Sequence, residues 1–190
     1  MIHPLTTWYL EMLTPADLRP QRLDNPELIV QQATIPCPEF SRFLYTSVGG
    51  HWYWCDRLKW TYDQWLDYLN RPELETWVAY RSGTPAGYIE IEAQPESTVK
   101  IEYFGLLPQF IGQGIGGHLL TAGIERAWEL AGRRVWVHTC NLDSRYAYKN
   151  YEARGFTLYD TQETTVELPP TPPGPWPQAA APTPAVASAS

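Results

Sequence analysis

Cysteine is scarce in this chain. Cys37, Cys55 and Cys140 are the only three, and no two of them have C-x-x-C spacing. An odd, scattered set excludes a disulfide framework and a zinc ribbon, and it fits reduced thiols in a cytoplasmic protein. No cluster with metal-ligand spacing occurs, so no metal is expected. No apolar run approaches the roughly 18 residues that a membrane span needs. The N-terminus lacks the charged-then-apolar layout of a secretory signal, so a cytoplasmic location is expected. Charge is sparse as well, at 18% of residues, and the net value is −7. That sign argues against a nucleic-acid backbone or an anionic membrane as partner, and weakly favours a cationic amine. Aromatics, in contrast, are abundant, with nine Trp and twelve Tyr in 190 residues. The length suffices for one domain with a proper core.

The chain is organised around Leu106-Leu107-Pro108-Gln109-Phe110-Ile111-Gly112-Gln113-Gly114-Ile115-Gly116-Gly117-His118. An apolar, β-branched run from Val99 to Leu107 enters it, and a helical apolar pattern leaves it. Each Gly costs about 1 kcal/mol against Ala inside a helix. A glycine cluster at a helix start is tolerated where the backbone must approach a ligand closely. Free N–H groups there, aided by the helix dipole, form an anion site suited to phosphate or diphosphate. A P-loop is excluded, because His118-Leu119 follows Gly117 where Lys-Ser/Thr is required. Gly112, Gly114 and Gly117 do satisfy G-x-G-x-x-G, so a dinucleotide enzyme stays open. Against it, four residues including Pro108 separate the strand from Gly112, and only one βαβ-like unit can be found.

The run Leu107-Pro108-Gln109-Phe110-Ile111-Gly112-Gln113-Gly114-Ile115-Gly116 resembles the acyl-CoA loop of the GNAT acyltransferase superfamily, a strand ending near Pro followed by Arg/Gln-x-x-Gly-x-Gly/Ala. A second stretch, Ala147-Tyr148-Lys149-Asn150-Tyr151-Glu152-Ala153-Arg154-Gly155-Phe156, resembles that family's Ala-x-x-x-Tyr-Glu-x-x-Gly-Phe signature, one helix and one strand later. Ile111 departs from the usual Arg/Gln, and Ser144 stands where Asn often precedes the second helix. The resemblance covers roughly residues 75 to 168. It implies an α+β (α/β three-layer) fold: a mixed, mostly antiparallel sheet of about six to seven strands with a V-shaped splay, flanked by about four helices. It also implies an acetyl-CoA-dependent N-acetyltransferase acting by direct attack in a ternary complex. The acceptor is a small-molecule or peptide amine. The alternative is a catalytically silent acyl-CoA-binding module.

In chain order, strands are expected at Thr6 to Leu13, Glu75 to Tyr80, Ala86 to Ala93, Val99 to Leu107 and Arg134 to Cys140, and Glu27 to Ala33 reads as a further strand or a turn. Helices are expected at Phe40 to Val48, Thr61 to Leu69, Ile115 to Ala131 and Ser144 to Arg154, the last with Ser144 as N-cap. Phe156 to Tyr159 and Thr164 to Leu168 read as a closing hairpin. Residues 1–168 form the domain, and 169–190, rich in Pro, Ala and Ser, read as a disordered or polyproline-like tail.

The resemblance also assigns site residues. Main-chain groups of Leu106, Leu107, Ile111, Gly112, Gln113, Gly114, Ile115, Gly116 and Gly117 are expected to hold the CoA diphosphate and pantetheine, with Asn150 and Asn141 touching the pantetheine or adenylate. Glu102, on the strand before the loop, is the expected general base, with His138 as fallback; carboxylate bases contribute about 10²–10⁴-fold. Tyr151 matches the family's Tyr that protonates the departing thiolate. A backbone N–H near Leu107 is expected to stabilise the oxyanion. Glu90 and Glu92 share a strand face suited to a cationic substrate, and Trp52 and Trp54 are candidate walls of its pocket. Cys140 is a nucleophile by residue type alone, and no acyl-enzyme is expected. The abundant aromatics make a homodimer an open expectation.

Overall fold

The computed structural model describes residues 2–130 and 132–176. Seven strands form one sheet in the order β2-β3-β4-β5-β6-β1-β7. They are β1 (Ile2–Met12), β2 (Leu28–Gln32), β3 (Leu74–Arg81), β4 (Thr84–Gln94), β5 (Thr98–Leu106), β6 (Arg134–Cys140) and β7 (Thr157–Glu167). Four helices accompany them: α1 (Pro38–Gly49), α2 (Tyr62–Leu69), α3 (Ile115–Leu130) and α4 (Ala147–Ala153). Every neighbouring pair is antiparallel except β5 and β6. This is the mixed, mostly antiparallel α+β architecture expected.

Local chemistry accounts for the elements. β3 turns into β4 through Ser82 and Gly83, both at positive φ (49° and 78°), the two-residue turn whose twist suits a hairpin. Thr61 starts α2 with a reciprocal cap: its hydroxyl accepts the Gln64 N–H, and the Gln64 side chain accepts the Thr61 N–H. Ile115, Leu119, Leu120, Ile124 and Ala127 make one apolar stripe on α3, fully buried against Ile89, Ile91, Ile101, Leu10 and Val137. A smaller core of Leu44, Val48, Val78 and Tyr88 fills the other side, beneath α1.

Two expectations are corrected. The closing hairpin does not form; β7 is one unbroken strand, and its partner is the N-terminal β1, which lies between it and β6. Local alternation cannot show this pairing, because about 150 residues separate Tyr9 from its neighbour Asp160. α4 begins at Ala147, not Ser144; the Ser144 hydroxyl accepts the Tyr146 N–H in a turn that precedes the helix. The first part of the expected tail is placed: Gly174 donates its N–H to the Gly50 carbonyl at 3.0 Å. Residues 177–190 of that tail lie outside the described residues.

β1 and β2 lie near opposite edges of the sheet, so the chain between them must cross the molecule. The crossing segment straps the side of α3. Gln21 donates its N–H to Thr121 Oγ1 at 2.9 Å, and Leu23 donates to His118 Nδ1 at 3.1 Å.

Candidate active site

Past β5 the chain makes a short turn at Pro108–Phe110 and enters the glycine loop. Gly112 and Gly114 have φ of 84° and 79°, the left-handed region that a side chain would strain. The first bond of α3 runs from the His118 N–H to the Gly114 carbonyl. Among the described residues, the N–H groups of residues 112–117 meet no protein acceptor. Some free amides are normal at a helix start; six in succession, held by a left-handed loop, form an anion cradle. The Gln113 side chain is held away from it, bonded to Arg81 and to the Gln109 carbonyl.

A cation stands beside this cradle that sequence reasoning missed. Arg154, just past α4, reaches the first turn of α3 and donates to Gln21, which lies against Gly117. Its buried Nε has no hydrogen-bond partner, and no carboxylate pairs with it among the described residues. Burial lowers its pKa from the usual arginine value. A half-buried guanidinium with no counter-charge is favourably placed to meet an anion. Its position in the second motif, one residue before Gly155, was the only signal in the sequence.

The cleft begins where two interruptions of β5 coincide. Pairing with β6 ends at Ile101–Val137. Pairing with β4 jumps from Ile91–Ile101 to Glu90–Tyr103, so Glu102 has no partner on β4. Such a bulge re-aims side chains, and Glu102 occupies it. Beyond this point β5 continues along β4, β6 continues along β1, and the two separate. Leu107 donates its N–H to the Ala86 carbonyl at 2.9 Å, so it is not free for an oxyanion. Strand alternation then turns the Leu106 N–H the other way, into the cleft.

The side chains of the cleft are unequal. Glu102 lies at its apex, 15% exposed, with Lys100 Nζ 2.9 Å from one carboxylate oxygen. His138 follows Val137 on the opposite wall; its imidazole reaches solvent and makes no hydrogen bond among the described residues. Its pKa is lowered by the surrounding protein mass and then by Lys100, against the opposite pull of Glu102 and Asp143. Tyr151, on α4, packs between Phe104 and Phe156. Burial, with Asp143 adding, holds its phenol well above the usual value, so it is a protonated donor. Asn150 is half-buried beside it on α4, and its side chain makes no hydrogen bond among the described residues. Asn141, by contrast, is tied to β1, accepting from Thr6 N–H and donating to the Pro4 carbonyl. Burial and Asp143 push the Cys140 thiol up to about 11, which makes it a poor nucleophile.

Glu90 cannot greet a substrate. It is fully buried, its oxygens 2.9 and 3.1 Å from Arg57 Nη1, with Tyr68 OH at 2.9 Å. Arg57 lies 3.9 Å from the Tyr68 ring centroid and 4.3 Å from that of Tyr103. This pair joins the turn before α2 to β4, and Tyr68 ties in α2 itself. Glu92, on the same face, is 18% exposed and bonded to Arg71 at 2.7 Å. Trp54 packs on Tyr103, ring centroids 4.7 Å apart, and its indole N–H reaches Asp143 Oδ1 at 3.4 Å. It thereby links the turn before α2 to the segment after β6, across the cleft. Trp52 is half-buried and has no such link. A separate cavity of about 260 Å³ lies by Pro36, Ser41 and Arg71, away from the glycine loop.

Comparison with known proteins agrees with this arrangement. The model of the Acetyltransferase (GNAT) family matches residues 37–156. The chain is 31% identical over 103 residues to the uncharacterized N-acetyltransferase YfmK of Bacillus subtilis (strain 168), covering 53% of this chain and 66% of that protein. It is 32% identical over 83 residues to a mycothiol acetyltransferase of Corynebacterium aurimucosum, covering 42% of this chain and 27% of that one. The matches thus span less than two thirds of either relative. A GCN5-related N-acetyltransferase from Sphaerobacter thermophilus superposes with a TM-score of 0.65 at 15% identity, over 86% of this chain and 51% of that chain. An aminoglycoside acetyltransferase from an uncultured soil metagenomic sample gives 0.57 at 19% identity, over 68% and 88%. These two likenesses concern the fold. With a loop of free amides, a splayed sheet and a family match over most of its length, the chain belongs to the GNAT family of acetyltransferases.

Proposed function

We propose that this protein transfers an acetyl group from acetyl-CoA to a primary amine, without a covalent enzyme intermediate. The observation that carries the reading is the row of unbonded amides at residues 112–117 beside Arg154, whose Nε is unbonded and which has no carboxylate partner among the described residues. Such a donor set fits a diphosphate. Bound there, acetyl-CoA supplies an activated thioester. The main chain of Gly112 to Gly117 holds its phosphates, and Arg154 adds charge; the Ile111 N–H, expected in this set, is instead bonded to the Pro108 carbonyl at 3.2 Å. The open edge of β5, including the Leu106 N–H, receives the pantetheine by strand-like bonding and polarises the thioester carbonyl.

The remaining chemistry is proton movement. An alkyl ammonium with pKa near 10.4 is almost wholly protonated at neutral pH. Glu102 removes a proton from the acceptor nitrogen, directly or through water, and the nitrogen lone pair forms the new C–N bond. As the C–S bond breaks, the acylated nitrogen gives up its second proton to solvent, and the Tyr151 phenol protonates the leaving sulfur; solvent returns the phenol's proton. Because a thiol near pKa 8.5 departs easily, the help from Tyr151 is modest. The free Cys140 takes no part.

The test is calorimetric titration with acetyl-CoA and with NAD, followed by thiol release over a panel of amines. Acetyl-CoA binding and amine-dependent thiol release are expected. Binding without turnover on any amine points to the silent acyl-CoA-binding module, and binding of NAD alone points to a dinucleotide enzyme.

A further inference from the structure

Among the described residues, half of one sheet face carries no helix. α3 and α4 cover the side bearing Leu10, Val135 and Val137. On the other side α1 lies over β4 and β5, and no described helix packs broadly on β6, β1 or β7. Trp136 and His138 of β6, Tyr9 of β1 and Tyr159 of β7 stand on this bare face. Tyr9 is nearly parallel to Trp136 (27°, 6.5 Å between centroids) and to His138 (33°, 5.8 Å). Tyr159 adjoins Tyr9 at 6.2 Å. The face runs directly into the cleft, because His138 is the residue after the last β5–β6 pair.

The polar atoms of this floor are already committed. Trp136 donates to Gln94 at 3.0 Å, Tyr9 to Gln162 at 3.1 Å and Arg134 to Glu11 at 2.7 Å. Lys100 is paired with Glu102. His138, on the strand next to Tyr9, carries an imidazole with no hydrogen bond among the described residues. The rings also carry cations: Lys100 is 5.2 Å and Arg134 is 5.7 Å from the Trp136 ring, and Arg134 is 4.5 Å from that of Tyr159. Two nearby carboxylates lack a cation among the described residues, and both are bonded within the chain: Asp160 to Thr161 and Gln162, and Asp143 to Trp54, the Thr139 hydroxyl and the Cys140 N–H. A polyamine or a multiply charged amino sugar therefore meets repulsion and no spare carboxylates. A flat apolar ring meets aromatic surface. Trp136 and His138 are two residues apart, roughly 7 Å along the strand, a distance that a short alkyl link between ring and nitrogen spans.

We propose that this bare face is the acceptor subsite and that it takes an amine joined by a short alkyl link to an aromatic ring. The ring lies against Trp136 and Tyr9, and the nitrogen lies against His138, within reach of Glu102. This rests on the acetyltransferase reading above.

The experiment uses the full chain with acetyl-CoA and four acceptors: phenethylamine, ethylamine, spermidine and kanamycin. Phenethylamine is expected to exceed ethylamine in kcat/KM by about tenfold or more, mainly through KM. Trp136→Leu should abolish that preference while acetyl-CoA affinity, by calorimetry, stays unchanged. Should Trp136→Leu lose its thermal midpoint, Tyr9→Leu carries the comparison. As a readout free of turnover, phenethylamine added to the CoA complex should shift the His138 ring proton resonances, and spermidine should not. Equal use of ethylamine, a preference for spermidine or kanamycin, or sedimentation showing a dimer that buries Tyr159, overturns the proposal. Failure of the wild type to bind acetyl-CoA overturns the acetyltransferase reading itself. Acetyl-CoA binding without aromatic preference sinks the acceptor proposal alone.

Discussion

Glu102 and His138 stand on opposite walls of the cleft, each one residue past the last bonded couple of β5 and β6, Ile101 and Val137. The bulge that frees Glu102 from β4 falls at the same step. One point of the chain thus loses its strand neighbours on both sides, and a carboxylate occupies it.

From that position Glu102→Gln should reduce kcat by about 10²–10⁴-fold. The loss should be greatest at low pH, where unprotonated amine is scarcest, and should shrink as pH rises. A variant whose pH profile matches the wild type removes Glu102 from the mechanism.

Tyr151→Phe should slow turnover about tenfold, at the low end for general acids, and should leave acetyl-CoA affinity intact. The phenol sits between Phe104 and Phe156, so its ring remains packed without the hydroxyl. An undiminished kcat returns Tyr151 to a packing role.

Removing Glu90 strands a buried cation. Glu90→Ala should destabilise the fold by about 3–5 kcal/mol, since Arg57 loses its carboxylate; denaturant unfolding measures this. The double change Glu90→Leu with Arg57→Met should lose much less, because no unpaired charge remains. Equal losses would show that packing, not charge, dominates at this junction.

Two glycines of the loop should respond differently to Ala. At Gly112 a Cβ meets open space, so only the positive φ is strained, at about 1–2 kcal/mol. At Gly117 a Cβ collides with Gln21 and crowds Arg154. Gly117→Ala should weaken acetyl-CoA binding by displacing both groups, and calorimetry reads the difference.

The strap on α3 should loosen in mild acid. His118 accepts the Leu23 N–H through Nδ1, which requires that nitrogen unprotonated. Burial and Arg22 lower its pKa from 6.5, against a smaller opposing effect of Glu125. The folded state therefore binds the proton less readily than the unfolded chain. The stabilisation is complete above about pH 6.5, and it is lost as pH falls through the lower folded value. The gap in thermal midpoint between wild type and His118→Phe should narrow over that window. A gap constant with pH would place the contribution in packing.

The sequence alone determined the elements at the centre of the fold, because their signals are local. The glycine loop of Gly112 to Gly117, the α3 stripe and the run of Val99 to Leu107 follow from composition and periodicity over a few residues. Tyr151 and Glu102 came through the family resemblance, which rests on contiguous motifs. Tertiary structure decided whatever depends on partners far along the chain. Only folding brings β1 between β6 and β7, buries Glu90 on Arg57, engages the Leu107 N–H with Ala86, and leaves Arg154 beside Gly117 without a carboxylate. Pattern along a strand tells which residues share a face. It cannot tell whether a helix covers that face, and so whether a glutamate meets solvent or an arginine, or whether Tyr9, Trp136 and His138 lie bare beside a cleft.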